Sequence, residues 1–321
     1  MIVFTTVREP KTRSYRTGLL RIPTQAYLSQ EIERSPNTKS VTKVTRFSIQ
    51  DRVMVGPPST SPVDGKILFW VIERSKPGSL VSNIWQLDEG SRNRRRITSG
   101  SWFDNSPCYS KEGDYIYFSS NRTSLASKIW RIRSQGGGGI TKVTQGRSFD
   151  DEPSLTPNDK KVVYSSLPPR AKGNQIWIAD ASSGMPTVLR EGLHPRVSPD
   201  GKNILFLRKD KLGKRMQLWM MDRNGGLETQ LTQNSDYDIR DASWSPDGKS
   251  IVFASNEGYD ANGLRNFDIW LMDIDGNEPT QLTTNGSWDD SPVFDRTGET
   301  IFFRSNREGV FNIWKLELNR S

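Results

Sequence analysis

Short apolar runs separated by polar turn residues recur along the chain. Six of them set an aliphatic residue directly before a tryptophan: Ile84-Trp85, Ile129-Trp130, Ile176-Trp177, Leu218-Trp219, Ile269-Trp270 and Ile313-Trp314. The intervals between these tryptophans are 45, 47, 42, 51 and 44 residues. Self-similarity at roughly 40 to 50 residues marks a closed or stacked array of small sheets, because one unit has too little apolar surface to stand alone and must bury its faces against neighbours. The pattern predicts an all-β fold, a β-propeller.

Aligned on the tryptophans, each unit resolves into four antiparallel strands, a to d. In the clearest unit, strand a is Ala242-Ser243-Trp244, strand b Ser250-Ile251-Val252-Phe253-Ala254, strand c Phe267-Asp268-Ile269-Trp270-Leu271-Met272 and strand d Gln281-Leu282-Thr283. The a-to-b turn is Ser245-Pro246-Asp247-Gly248, repeated as Ser198-Pro199-Asp200-Gly201. Proline sets φ at the first corner, aspartate bonds its own backbone and glycine takes the left-handed position. After strand b comes Ser120-Asn121-Arg122, repeated as Ser305-Asn306-Arg307 and decaying to Ser255-Asn256-Glu257.

The last unit supplies only strands a to c, ending Asn312-Ile313-Trp314-Lys315-Leu316, whereas Val41-Thr42-Lys43-Val44-Thr45 resembles the strand d at Ile140-Thr141-Lys142-Val143-Thr144. An N-terminal strand completing the last blade closes the ring and removes its exposed edges. The expectation is a six-bladed propeller over residues 41–321, with residues 1–40 as an N-terminal extension. That extension reads as two strands of a partial blade, around Ile2-Val3-Phe4 and Gly18-Leu19-Leu20, and seven blades is the alternative count.

The net charge of +8 would suit nucleic acid or an anionic membrane if the basic residues clustered, but in sequence they are dispersed. The densest run, Arg92, Arg94, Arg95 and Arg96, is expected in a solvated hairpin loop, and no nucleic-acid partner is expected. Cys108 is the sole cysteine, so no intramolecular disulfide forms, and it reads as a small core residue. No stretch approaches the ~18 apolar residues of a membrane span, and the first residues lack a signal-peptide pattern, so no membrane insertion is expected. The only histidine is His194. A histidine-rich lyase site is thereby excluded, and no G-x-S-x-G nucleophile elbow occurs. The run Gly136 to Gly139 joins two strands and is no phosphate cradle.

The recurring Ser-Pro-Asp-Gly turn, Ser-Asn-Arg loop, Ile-Trp strand and Leu-Thr strand together resemble the propeller repeat of the TolB family, over about residues 41 to 318. The resemblance implies a non-catalytic, monomeric scaffold, periplasmic or exported, that receives a protein or peptide at the channel mouth. The loops carried onto that role join strand d of one blade to strand a of the next. They name Asp51, Asn105, Asp151, Glu152, His194, Arg240, Asp241 and Asp290 as mouth residues. Asp104, Asp150 and Asp289, three positions before proline, are expected as structural corners accepting backbone N–H bonds from the adjacent blade. No cofactor is expected. Oxygen ligands at Asn105, Asp151, Glu152 and Asp290 leave calcium in the channel open, though no spacing matches a dedicated calcium loop. The alternative function is a hydrolase or lyase acting on peptide or carbohydrate through Asp151, Glu152 and Asp290.

Overall fold

A computed structural model describes residues 41–47, 54–76, 79–90, 93–136, 139–182, 185–233, 236–259, 263–277 and 279–319. The partial blade expected in residues 1–40, and Asp51, lie outside these.

The described strands form six antiparallel four-stranded sheets. The chain enters at Val41–Arg46 (β1). Blade 1 is Ser59–Thr60 (β2), Lys66–Lys76 (β3), Ser79–Asp88 (β4) and Arg94–Arg96 (β5). Blade 2 is Asp104–Tyr109 (β6), Tyr115–Ser120 (β7), Lys128–Arg133 (β8) and Thr141–Lys142 (β9). Phe149–Leu155 (β10), Lys161–Leu167 (β11), Gln175–Asp180 (β12) and Thr187–Glu191 (β13) make blade 3. Leu193–Val197 (β14), Asn203–Lys209 (β15), Met216–Asp222 (β16) and Thr229–Gln230 (β17) make blade 4. Blade 5 holds Ile239–Trp244 (β18), Ser250–Ser255 (β19), Asp268–Asp273 (β20) and Thr280–Gln281 (β21). Blade 6 holds Asp289–Phe294 (β22), Thr300–Ser305 (β23) and Asn312–Leu318 (β24), and β1 is its fourth strand. Val44 pairs with Leu316 and Arg46 with Trp314, so the ring is closed as the sequence predicts, with six blades.

Six apolar clusters fill the spaces between adjacent blades. One joins Phe69 and Leu87 of blade 1 to Phe302 and Ile313 of blade 6, and another joins Val163 and Ile176 of blade 3 to Phe206 and Trp219 of blade 4. A blade alone would leave both these faces wet, which is why the repeat exists only as a ring.

The recurring motifs are hydrogen-bonding devices. In blades 1, 2, 4 and 5 the threonine near the end of the unit, Thr98, Thr144, Thr232 or Thr283, accepts the N–H of the aliphatic residue before the tryptophan. Asn121, Asn256 and Asn306 each accept the backbone N–H of the residue just before the innermost strand: Phe103, Asp238 and Trp288. In the Ser-Pro-Asp-Gly turn, Ser245 Oγ accepts the Ser250 N–H and donates to Asp247, while Gly248, at φ +72°, donates to Ser245 O.

Two expectations need correction. Arg94, Arg95 and Arg96 are not a loop but the outermost strand of blade 1, where a short edge strand with one wet face accommodates charge. Second, the residues read as inter-blade loops, such as Asp104 to Pro107 and Asp150 to Pro153, lie inside the innermost strands. Each of those strands carries a β-bulge that keeps it paired past the corner.

Candidate functional site

The bulges recur at one position. The register shifts between Asn105 and Cys108, Asp151 and Ser154, Leu193 and Arg196, Arg240 and Ala242, and Asp290 and Val293. Inside each shift a non-glycine residue takes left-handed backbone: Ser106 (φ 48°), Glu152 (56°), His194 (54°), Asp241 (41°) and Ser291 (56°). These five, with Pro57 of blade 1, line a central cavity of about 410 Å³. A left-handed φ is uncommon for such residues, and its recurrence in five blades makes the bulge a built feature of the channel.

The five bulge residues form a polar belt across blades. Glu152 Oε2 accepts bonds from the His194 backbone N–H at 3.0 Å and from Ser165 Oγ at 2.7 Å. His194 Nδ1 stands 2.7 Å from Glu152 Oε1 and 3.3 Å from Asp241 Oδ1. Ser291 Oγ donates to Asp241 Oδ2 at 2.9 Å, and Ser106 bonds Asp151.

Burial alone would push the His194 imidazole down, but the Glu152 and Asp241 carboxylates outweigh it and hold its pKa above the ordinary value. Burial likewise opposes ionisation of Glu152, and the His194 charge overrides it, holding the carboxyl down to about 2. Asp151 behaves oppositely: burial and the neighbouring Glu152 charge push it up to about 6.

Of the residues the sequence assigns to the mouth, Glu152, His194 and Asp241 line the channel, with His194 in the same slot as Ser106 and Ser291. Asn105, Asp151, Arg240 and Asp290 precede the bulge, and alternation along the strand turns them away from it. Asn105 Oδ1 accepts from Ser82 Oγ of the neighbouring blade. Arg240 lies over the Phe267 and Trp288 rings, 5.3 Å from each centroid. Asp290 is fully buried, accepting from Arg304 Nε and Nη2 at 2.7 and 2.6 Å and from Trp288 Nε1 at 3.0 Å. It therefore belongs to the scaffold, contrary to the expectation of a channel-facing carboxylate.

Among the described residues no three His, Cys, Asp or Glu side chains group as a metal site. Of the four residues considered for calcium, Asp290 is held by Arg304 and Glu152 by His194 and Ser165. The sequence places Ser106 and Ser291 in the mouth loops, in the slot of His194, without marking them as binding residues, and it does not point to Pro57; the proline after Ser106, Glu152, His194 and Ser291 marks the bulge slot.

The corner carboxylates are buried, and their partners are side chains rather than the backbone amides expected. Asp104 accepts from Arg122 Nη2 at 2.9 Å, and Asp289 from Arg307 Nη2 at 2.7 Å. Burial still pushes Asp289 up to about 6 against the Arg307 charge. Asp150 accepts from Lys128 of the preceding blade and from Ser166, at 2.9 and 2.7 Å. The arginine of the Ser-Asn-Arg element thus has two duties, since Arg122 also lies over the Phe118 and Trp130 rings and Arg307 over Phe303 and Trp314. Cys108 lies on the channel wall, half-buried, with burial raising its thiol to about 12.

Comparison with known proteins agrees with this architecture. An uncharacterised protein of Agrobacterium fabrum is 38% identical over 80 residues, 24% of this chain, and the chain spans only 25% of that relative's length. The crystal structure of TolB from Acinetobacter baumannii superposes with a TM-score of 0.63 at 22% identity, covering 76% of this chain and 58% of that one. An oligogalacturonate lyase from Vibrio parahaemolyticus superposes at 0.60 and 14% identity over 89% of this chain and 96% of that one. At these identities the structures share a fold and nothing finer. The family model of the TolB beta propeller domain matches residues 37–246, which cover the entry strand, the first four blades and the first turn of the fifth, and the chain belongs to that family.

Proposed function

We propose that this propeller is a non-catalytic interaction scaffold that receives a protein or peptide segment at the channel mouth. The observation that supports this most directly is the Glu152–His194–Asp241 cluster, which sets two carboxylates and an imidazole from three adjacent blades over the channel, with Arg196 beside them. Charged groups of both signs at the mouth suit a polar ligand segment and orient its approach. The hydroxyls of Ser106 and Ser291 are engaged by carboxylates, Asp151 for the first and Asp241 and Asp290 for the second. No helix among the described residues is long and apolar enough to cross a membrane. Family resemblance supports a periplasmic or exported setting, and we expect a monomer.

The test is capture of a partner from an extract of the source cell, comparing wild type with Glu152→Gln combined with Asp241→Asn. Loss of capture with a preserved melting curve supports the reading, and equal capture moves the binding site off this rim.

A second reading draws on Asp151. Asp151, pushed up to about 6 behind the channel-lining Glu152 that stays ionised, forms with it a carboxyl pair suited to acid–base chemistry, with Glu152 as the member that faces a substrate, here in a hydrolase or lyase on peptide or carbohydrate. Turnover abolished by Asp151→Asn would favour it over the scaffold.

A further inference from the structure

Basic residues that are scattered along the sequence are gathered by the fold. The loops that join the second to the third strand of a blade, and one blade to the next, lie at the same end of the ring as the channel mouth. On blades 1 to 3 these loops hold six large apolar side chains in water: Leu80 (52% exposed), Trp102 (40%), Phe103 (40%), Leu125 (94%), Phe149 (45%) and Leu167 (36%). The same loops hold exposed Arg74, Arg147, Arg170 and Lys172, none paired with a carboxylate among the described residues. Residues 74–80, 97–103, 121–127, 143–149 and 167–174 contain no Asp or Glu, and the step from blade 3 to blade 4 adds one exposed carboxylate, Glu191. The adjacent Asp104 and Asp150 are buried behind Arg122 and Lys128, and Glu73 is turned to Asn83, Trp85 and Arg96. At the other end of the same blades the turns carry Asp64, Glu89, Glu112, Asp114 and Asp159.

We infer that this face of blades 1 to 3 is a peripheral docking surface for an anionic lipid bilayer. Tryptophan, phenylalanine and leucine beside lysine and arginine is the composition that settles at the headgroup boundary, where the rings enter the interface and the cations meet anionic lipid. The apolar groups stand on five separate loops or strand ends rather than lining a groove, which suits a deformable planar phase better than the matched relief of a folded partner. The scarcity of carboxylates, Glu191 against four unpaired cations, limits the groups that an anionic surface would repel and that a mixed-charge protein partner would pair. The tips are also braced. Ser82 N donates to Trp102 O at 3.1 Å, Phe103 N to Asn121 Oδ1 at 2.8 Å, and Phe149 pairs with Leu167 across β10 and β11. Loops whose backbone is fixed in this way meet an interface without first paying to become ordered.

The test is sedimentation of the full chain with vesicles of phosphatidylcholine alone and of phosphatidylcholine mixed with phosphatidylglycerol. Binding to the mixed vesicles should be at least about tenfold tighter and should weaken as salt is raised. Trp102→Ser with Phe149→Ser should lower it about tenfold, and Arg147→Gln with Lys172→Gln should lower it and flatten the salt dependence. Leu227→Ser, an exposed apolar residue at the opposite end, is the control and should change nothing. All these positions are exposed, so melting curves should match the wild type. Equal binding to the two vesicle types, unaltered binding by either double variant, or a loss in the control as large as in the variants overturns the proposal. If vesicles are not bound while the Trp102 and Phe149 variant loses a protein captured by the wild type, the surface is a protein interface and the lipid assignment falls.

Discussion

His194 carries more of the mouth than any other side chain, since its backbone N–H and Nδ1 both meet Glu152, its ring reaches Asp241, and its own φ is +54°. Because its folded pKa is raised, the stability it contributes is complete below its ordinary value of 6.5 and is lost as pH rises through the higher folded value. Wild type should therefore exceed His194→Gln in urea midpoint at about pH 6, and the gap should narrow with rising pH as the imidazole deprotonates. A gap that widens as pH rises would contradict the charge pairing. Glu152 acts in the opposite sense and lends stability above its ordinary 4.5, lost only as pH falls toward about 2. Ser291 offers a second check. Ser291→Val puts a β-branched residue at φ 56° and should cost about 1–2 kcal/mol, whereas Ser291→Gly keeps the backbone and removes only the hydroxyl shared by Asp241 and Asp290. Chemical denaturation of the two variants separates strain from hydrogen bonding. The slot of His194 was legible because prolines punctuate the equivalent positions, but the burial of Asp290 was not, since that depends on Arg304 arriving from the neighbouring strand.

At the level of strands, the tryptophan period identified the blades because its cause is repeated burial at the third strand. Trp219 is 6% exposed, with Arg208 4.0 Å over its ring and Phe206 stacked 6.5 Å away. Trp219→Ala should cost roughly 3–5 kcal/mol, read as a shift in denaturation midpoint. A loss under about 1 kcal/mol would mean that the indole contributes little to the space between blades. The closing strand was legible for a related reason: Val41-Thr42-Lys43-Val44-Thr45 repeats the composition of a fourth strand. Val44 is 2% exposed against the blade 5 and 6 core, so Val44→Asp should detach β1, lower the melting temperature and promote aggregation through the freed edge of β24. The bulges were not legible. A left-handed residue in a strand has no strong composition of its own when Ser, Glu, His and Asp all occupy it, and turn-like signals at Asp-Asn-Ser-Pro read as a loop.

On the scale of the whole molecule, a basic composition resolves into unlike regions: a channel mouth of mixed charge, an apolar and basic face on three blades, and turns of both signs at the far end. None of this follows from net charge, because it depends on which turns share an end of the ring. The closure at β1 and β24 has a further consequence for how such a chain can change size. Blade boundaries and the order of the chain are out of phase by one strand, so blade 6 is assembled from sequence segments that enclose all the others. A duplicated unit inserted between two blades would keep that phase and meet a neighbour on each side. The same unit attached directly after β24 would compete with β1 for the single edge of that strand, and growth of the ring by gene duplication is thereby directed to the interior of the chain.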